Sequence, residues 1–201
     1  MGDLACSRRL PELIEADRLV LRRWVPSDAG MLAATVERNL DHLRPWMPWV
    51  KDEPLSAQRR LQLLQEWEQE WMGGGDVMFA MFLGEAVVGG CGLHRRVGPG
   101  GLEIGYWVDR DYLRQGMATE SAAAMTTAAF GLPSMDFVEI HHDKANLSSC
   151  GVPRRLGFRL VGEADRDPAA PAETGVELRW RMERDRWSDR QGRAGRESAE
   201  G

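Results

Sequence analysis

A run of polar and small residues, Arg114-Gln115-Gly116-Met117-Ala118-Thr119, stands directly before the alanine-rich stretch that ends at Phe130. Glycine and alanine let a backbone approach a ligand closely, and the free N–H groups of a helix N-terminus attract anions. The chemistry such a run could do is therefore anion binding, and two common versions fail on residues. A dinucleotide fold carries G-x-G-x-x-G after its first strand, whereas Gly116 stands alone; a nucleoside-triphosphate loop needs Gly-Lys-Ser/Thr, and no Lys is near. Groups able to hold or move a proton lie on either side: Glu103 upstream, and His141, His142, Ser149 and Cys150 downstream. Adjacent strand residues point to opposite faces, so the two histidines do not form a metal pair. Cys6, Cys91 and Cys150 also lack metal-ligand spacing, and no metal is expected.

These groups need elements to position them. A chain of 201 residues suits one domain with a core large enough to dispense with staples. No apolar run is long enough to span a bilayer, and "MGDLACSRRL" lacks the apolar centre of a signal peptide. With three cysteines, odd in number, a cytoplasmic protein with reduced thiols is expected. The net charge of −5 argues against a broad nucleic-acid-binding surface.

Arg18–Val25 mixes alternation with β-branched and aromatic residues and predicts a first strand. "PSDAGML" opens a helix that Ser27 or Asp28 can cap. Leu61, Leu64, Trp67 and Trp71 recur at helical spacing, and Gly73-Gly74-Gly75 ends that helix. Two apolar runs around Gly84-Glu85 read as a hairpin, and Leu102–Asp109 reads as the next strand. The anion loop and its helix follow, then a strand at Phe137–His142, a short helix ended by Gly157, and two more strands, "FRLVGEA" and Val176–Glu183. Residues 1–16 are expected as an extension, 17–185 as the domain, and 186–201, rich in Arg, Asp, Glu, Gly and Ser, as a disordered tail. The result is a mixed α/β (α+β) domain, neither doubly wound nor a barrel.

At this point the sequence resembles the GNAT superfamily of N-acetyltransferases, whose acetyl-CoA signature is Gln/Arg-x-x-Gly-x-Gly/Ala. The match runs from Leu113 to Ala118, with Leu113 in place of Gln or Arg. "EIGYWVDRDYLRQGMATES" and "HHDKANLSSCGVPRRLGFRLVGE" look like the RimJ/RimL-type branch, and "HLRPWMPWV" is similar to a segment between that branch's early helices. The resemblance covers Asp17 to Glu183. It implies a mostly antiparallel central sheet of six or seven strands, flanked by helices and splayed where acetyl-CoA binds.

It implies roles as well. Acetyl-CoA, the cosubstrate, would lie along the backbone of Trp107 and Val108. Its pyrophosphate would meet the amides of Gln115, Gly116, Met117, Ala118 and Thr119, with Arg114 adding charge and Asn146 orienting the cofactor from the facing strand. Transfer to an amine needs a neutral amine, an oxyanion donor and a proton for the leaving thiolate. Glu103 is the expected base or water-positioning residue, against a reading as a carboxylate held by hydrogen bonds. Ser149 is the expected acid, against a reading as a helix cap, since neither Tyr106 nor Tyr112 falls where some relatives place a tyrosine acid. Trp46, Met47 and Trp49 form an aromatic wall on the acceptor side, although at least one Trp there would equally serve as a loop anchor.

The acceptor is expected to be a peptide N-terminus, with a small-molecule amine or antibiotic as the alternative. A non-catalytic acyl-CoA-binding regulator is a third reading. Homodimers occur in the branch, and Trp71-Met72 could contribute to one.

Overall fold

The structure, a computed structural model, describes residues 9–199. Cys6 and the first half of the expected N-terminal extension lie outside the described residues. Eight strands form one sheet: β1 (Leu13–Glu15), β2 (Val20–Arg23), β3 (Val77–Leu83), β4 (Ala86–His94), β5 (Gly101–Val108), β6 (Phe137–Asp143), β7 (Arg159–Asp165) and β8 (Val176–Glu183). The sheet order is β1-β2-β3-β4-β5-β6-β8-β7, and every neighbouring pair is antiparallel except β5 with β6. The count exceeds the expected six or seven by β1, which lies inside the segment read as an extension. Three residues are too few to show a period, but pairing with Val20–Arg22 and burial of Ile14 fix β1 at the sheet edge.

Helix α1 (Ala29–Glu37), the single turn α2 (Leu40–Leu43) and α3 (Ala57–Met72) precede the hairpin. Ser56 caps α3 by accepting from the Arg59 N–H, and Gly73 ends it. The apolar faces of α1 and α3 bury Leu32, Val36 and Leu64 against one face of the sheet, with Trp24, Ala80 and Val87. On the opposite face α4 (Met117–Phe130) and α5 (Leu147–Leu156) pack over Leu102, Ile104, Val138 and Ile140 in the larger core. Each fully buried Leu or Ile there contributes about 1.5–3 kcal/mol. Among the described residues no helix is long and apolar enough to cross a membrane.

The chain beyond Arg186, expected to be disordered, continues as helix α6 (Arg184–Ala199). Its composition is polar, but Trp187 is 4% exposed and donates its indole N–H to Thr127 of α4, while Arg184 donates to the Leu132 and Met135 carbonyls. One anchored aromatic and one anchored guanidinium hold the first turn where composition predicts fraying. Trp71, raised as a dimer contact, donates to the Leu10 carbonyl and lies beneath the guanidiniums of Arg9 and Arg23, and Met72 is half exposed.

Two features position the site. Parallel pairing of β5 with β6 lasts only from Gly101↔Phe137 to Glu103↔Glu139. Beyond it, β5 pairs with β4 alone and β6 with β8 alone, so the two strands diverge. The sheet is thereby splayed, as expected. Second, α1–α3 cover the β2–β5 side of one face and leave the β5–β8 side of that face open.

Candidate active site

The divergence of β5 from β6 leaves the β6-facing backbone of Ile104–Val108 without a strand partner. At its far end Asp109 and the turn at Arg110–Tyr112 lead into the anion loop. Asp109, 1% exposed, accepts from Arg38 Nε at 2.6 Å, from Asn39 Nδ2 at 2.9 Å and from the Asp111 N–H at 3.0 Å. Burial works to raise its pKa, but the Asp111, Asn39 and Arg38 hydrogen bonds outweigh it and hold the carboxyl below its ordinary range. Asn39 also accepts from the Arg110 N–H. The Arg38-Asn39 link between α1 and α2 thus fixes where β5 ends and where the loop begins.

The loop has the backbone its residues predict. Arg114 and Gly116 both have positive φ, 59° and 86°, and Gly116 is the N-cap of α4. No side chain caps α4, so the N–H groups of its first turn remain available. Arg114, Gln115 and Gly116 are exposed, Ala118 and Thr119 half-buried, and Met117 sends its side chain into the core. Arg18 braces the loop from β2's side, pairing with Glu120 at 2.7 Å and donating to the Gln115 carbonyl. A coenzyme A pyrophosphate needs amide donors with little side-chain bulk near them, and a glycine cap followed by uncapped amides meets that need. These residues fit the cofactor.

Asn146 caps α5: its side-chain oxygen accepts from the Ser149 N–H at 3.1 Å. Its amide nitrogen has no hydrogen-bond partner among the described residues, which leaves a donor unused at the start of α5. The Ser149 hydroxyl is likewise unengaged among the described residues, and capping falls to Asn146 instead of Ser149. The phenol of Tyr106 donates to the Ser149 carbonyl at 3.1 Å, a proximity the sequence reading missed. Burial pushes the Tyr106 pKa up, so the group is a neutral donor.

Trp107 points to the opposite face, toward α1 and α3. A Cβ on Gly90 would stand 2.7 Å from the Trp107 indole nitrogen, so the glycine is what lets this ring lie flat on β4. Trp49, 37% exposed, meets Trp107 at a ring-centroid distance of 6.4 Å; Trp46 and Met47 are half-buried beside it. The segment is tied down on both sides of the divergence. His42 Nε2 lies 3.2 Å from the Val108 carbonyl, and the Ala172 N–H, in the loop between β7 and β8, donates to the Pro45 carbonyl at 3.0 Å. That loop is held in turn by Asp143 at the end of β6, which accepts from the Thr174 and Gly175 N–H groups and from the Thr174 hydroxyl.

The open face between these anchors is a cleft of about 660 Å³ lined by Arg96, Glu103, Glu139, His141, Glu177 and Arg181, among others. Glu103 receives Arg96 bidentately at 2.8 and 2.5 Å. Glu139 takes Arg181 on one oxygen at 2.7 Å and His141 Nε2 on the other at 2.6 Å. Burial works to raise the Glu139 pKa, but these two partners outweigh it, and the carboxyl lies below its ordinary range. His142, the next residue, points to the other face, where it accepts from the Trp180 indole N–H at 3.0 Å and its Nδ1 lies 2.8 Å from the Asp143 carbonyl. Burial lowers its pKa below the ordinary histidine value. The two histidines do point apart, and it is His141 that shares a cleft with Glu103.

A family model for the acetyltransferase (GNAT) domain matches residues 18–159. The chain is 24% identical over 150 residues to the "Putative ribosomal N-acetyltransferase YdaF" of Bacillus subtilis (strain 168), covering 74% of this chain and 81% of that protein. Its fold is similar to that of RimL, a ribosomal L7/L12 α-N-protein acetyltransferase solved with coenzyme A, with a TM-score of 0.79 and 21% identity over 87% of this chain and 99% of that one. It is similar also to Mycobacterium smegmatis RimJ, solved with a coenzyme A disulfide, with a TM-score of 0.77 and 21% identity over 92% and 96% of the two chains.

Proposed function

The chain belongs to the GNAT acetyltransferase family, and on that premise we propose that it transfers acetyl from acetyl-CoA directly to the α-amine of a protein N-terminus. The observation that carries the reading is the early end of β5–β6 pairing at Glu103↔Glu139, which opens the sheet between the uncapped start of α4 and the acidic cleft. Acetyl-CoA supplies an activated thioester. Backbone amides of Gln115 to Thr119 hold its pyrophosphate with Arg114 beside them, the Trp107 and Val108 backbone aligns its arm, and Asn146 orients it from the facing strand. Ser149 donates a proton to the departing thiolate. Glu103, already held by Arg96, acts in positioning the amine or a water and lends negative charge to the acceptor side. Trp46, Met47 and Trp49 wall that side.

An N-terminal α-amine suits this cleft because its pKa of roughly 8 leaves less to a base than the roughly 10.4 of lysine. The likeness to ribosomal-protein acetyltransferases supports the same acceptor class. The test is thiol release from acetyl-CoA across Ser-, Ala- and Met-starting peptides, polyamines and aminoglycosides. Turnover is expected with one or more peptides. Turnover with a small amine alone would transfer the reading to a small-molecule acetyltransferase, and acetyl-CoA binding without turnover on any amine would make the chain an acyl-CoA-binding regulator.

A further inference from the structure

His141 occupies the crotch of the splayed sheet, two residues beyond the last β5–β6 pair and on the same face as Glu103 and Glu139. Its Nε2 is 2.6 Å from a Glu139 oxygen. An ionised carboxylate only accepts, so Nε2 carries the hydrogen, and in the neutral ring the lone pair is on Nδ1. That atom faces two further carboxylates, Glu103 at 3.6 Å and Glu177 at 3.7 Å, both beyond direct hydrogen-bond distance. The charged groups around the ring are Glu139 and Arg181 from β6 and β8, Glu103 from β5 with Arg96 from the loop before it, and Glu177 and Arg179 from β8, with Arg166 3.6 Å from Glu177. Each carboxylate thus has a guanidinium partner: Glu139 divides its oxygens between Arg181 and the imidazole, whereas the Glu103 and Glu177 oxygens nearest Nδ1 also accept from Arg96 and Arg179.

From this geometry we infer that His141 is the catalytic base: its Nδ1 takes a proton from the acceptor's ammonium, which Glu103 and Glu177 hold between them. This deepens the acetyl-transfer reading and rests on it. Glu139 is a positioning residue that fixes the tautomer and stabilises the imidazolium, the part a carboxylate plays behind histidine in hydrolytic triads. Glu103 binds the cation without taking its proton: the bidentate Arg96 contact favours the ionised carboxylate and leaves one lone pair on each oxygen to accept from the ammonium. The proton balance closes. One ammonium proton goes to Nδ1, and the freed nitrogen pair forms the C–N bond as the C–S bond breaks. A second nitrogen proton ends on the thiolate, and the imidazolium releases its own to water.

The test uses the full chain with acetyl-CoA and the best Ser-, Ala- or Met-starting peptide. His141→Gln should lower kcat/KM at pH 7 by roughly 10²-fold, with acetyl-CoA affinity by calorimetry unchanged, and the loss should shrink toward pH 9 as free amine accumulates. Glu139→Gln should move the acidic limb of the rate profile to lower pH, because it withdraws the charge that favours the imidazolium. Independently of turnover, side-chain ¹⁵N resonances of the cofactor-free protein above the His141 titration should show hydrogen on Nε2 and none on Nδ1. Turnover of His141→Gln within twofold of wild type at pH 7, or hydrogen on Nδ1, overturns the assignment and leaves the acetyl-transfer reading intact. Wild-type protein that binds acetyl-CoA but acetylates none of the peptides removes both.

Discussion

The phenolic hydroxyl of Tyr106 donates to the main-chain oxygen of Ser149 across the gap between β5 and α5, at 3.1 Å. On the proposed mechanism two hydroxyls then compete for the role of proton donor to the departing thiolate. Tyr106 is committed to a carbonyl, whereas the Ser149 hydroxyl is free to turn. Ser149→Ala should cut turnover by roughly 10²-fold with little change in stability, since Asn146 and not Ser149 caps the helix. Tyr106→Phe should cost about 1 kcal/mol, one hydrogen bond's worth, and keep turnover within tenfold. Thermal melts and steady-state rates on both variants check this; the opposite pattern would assign the acid to Tyr106.

Ala118→Glu should abolish acetyl-CoA binding in a folded protein. The residue follows the glycine cap by two positions, in the first turn of α4, where uncapped amides face outward. A carboxylate there brings bulk and like charge to the place a pyrophosphate would occupy. Calorimetry with acetyl-CoA, alongside circular dichroism, checks the outcome; wild-type affinity in the variant would remove the anion site from this loop.

Asp143 gives the stability a pH signature. Burial works to raise its pKa, but the donors at Ala145, Thr174 and Gly175 outweigh it and hold the carboxyl at about 2, against an ordinary 3.8. A folded-state value below the unfolded one means stabilisation that is present above about pH 4 and is lost as pH falls through about 2. Asp143→Asn should therefore cost ~2 kcal/mol at pH 7, with the gap to wild type closing between pH 4 and pH 2. Urea unfolding at pH 7, 4 and 2.5 measures it. A gap independent of pH would mean that Asn fails through geometry and not through charge.

Much of this architecture was legible in the residues because local signals coincided. The 3.6-residue recurrence of Leu61, Leu64, Trp67 and Trp71, closed by three glycines, gives α3. Gly116 before an alanine run gives the cap of α4. What stayed hidden depends on partners distant in sequence. Leu13–Glu15 becomes a strand only because β2 offers it an edge, and α6 holds because Trp187 finds Thr127. The acidic cleft is the clearest case. Glu103, Glu139 and Glu177 each sit in a strand whose alternation reads as an ordinary polar face. They converge because β6 lies between β5 and β8, an order that no single strand encodes.

The hydrogen bonds over the splayed strands form a closed circuit. From Val108 it passes through His42 to Pro45, crosses to Ala172, descends through Thr174 to Asp143, and returns along β6 to the crotch. The gap between β5 and β6 is thus an eyelet and not a notch. Something slender can be threaded into it from either side, but a broad object cannot be laid in from above. On the proposed reading, the cofactor's arm and the acceptor would arrive tip-first from opposite faces and withdraw the way they came. Such an aperture selects by the thinness of the leading end, which gives loose chain termini an advantage over amines embedded in folded surfaces.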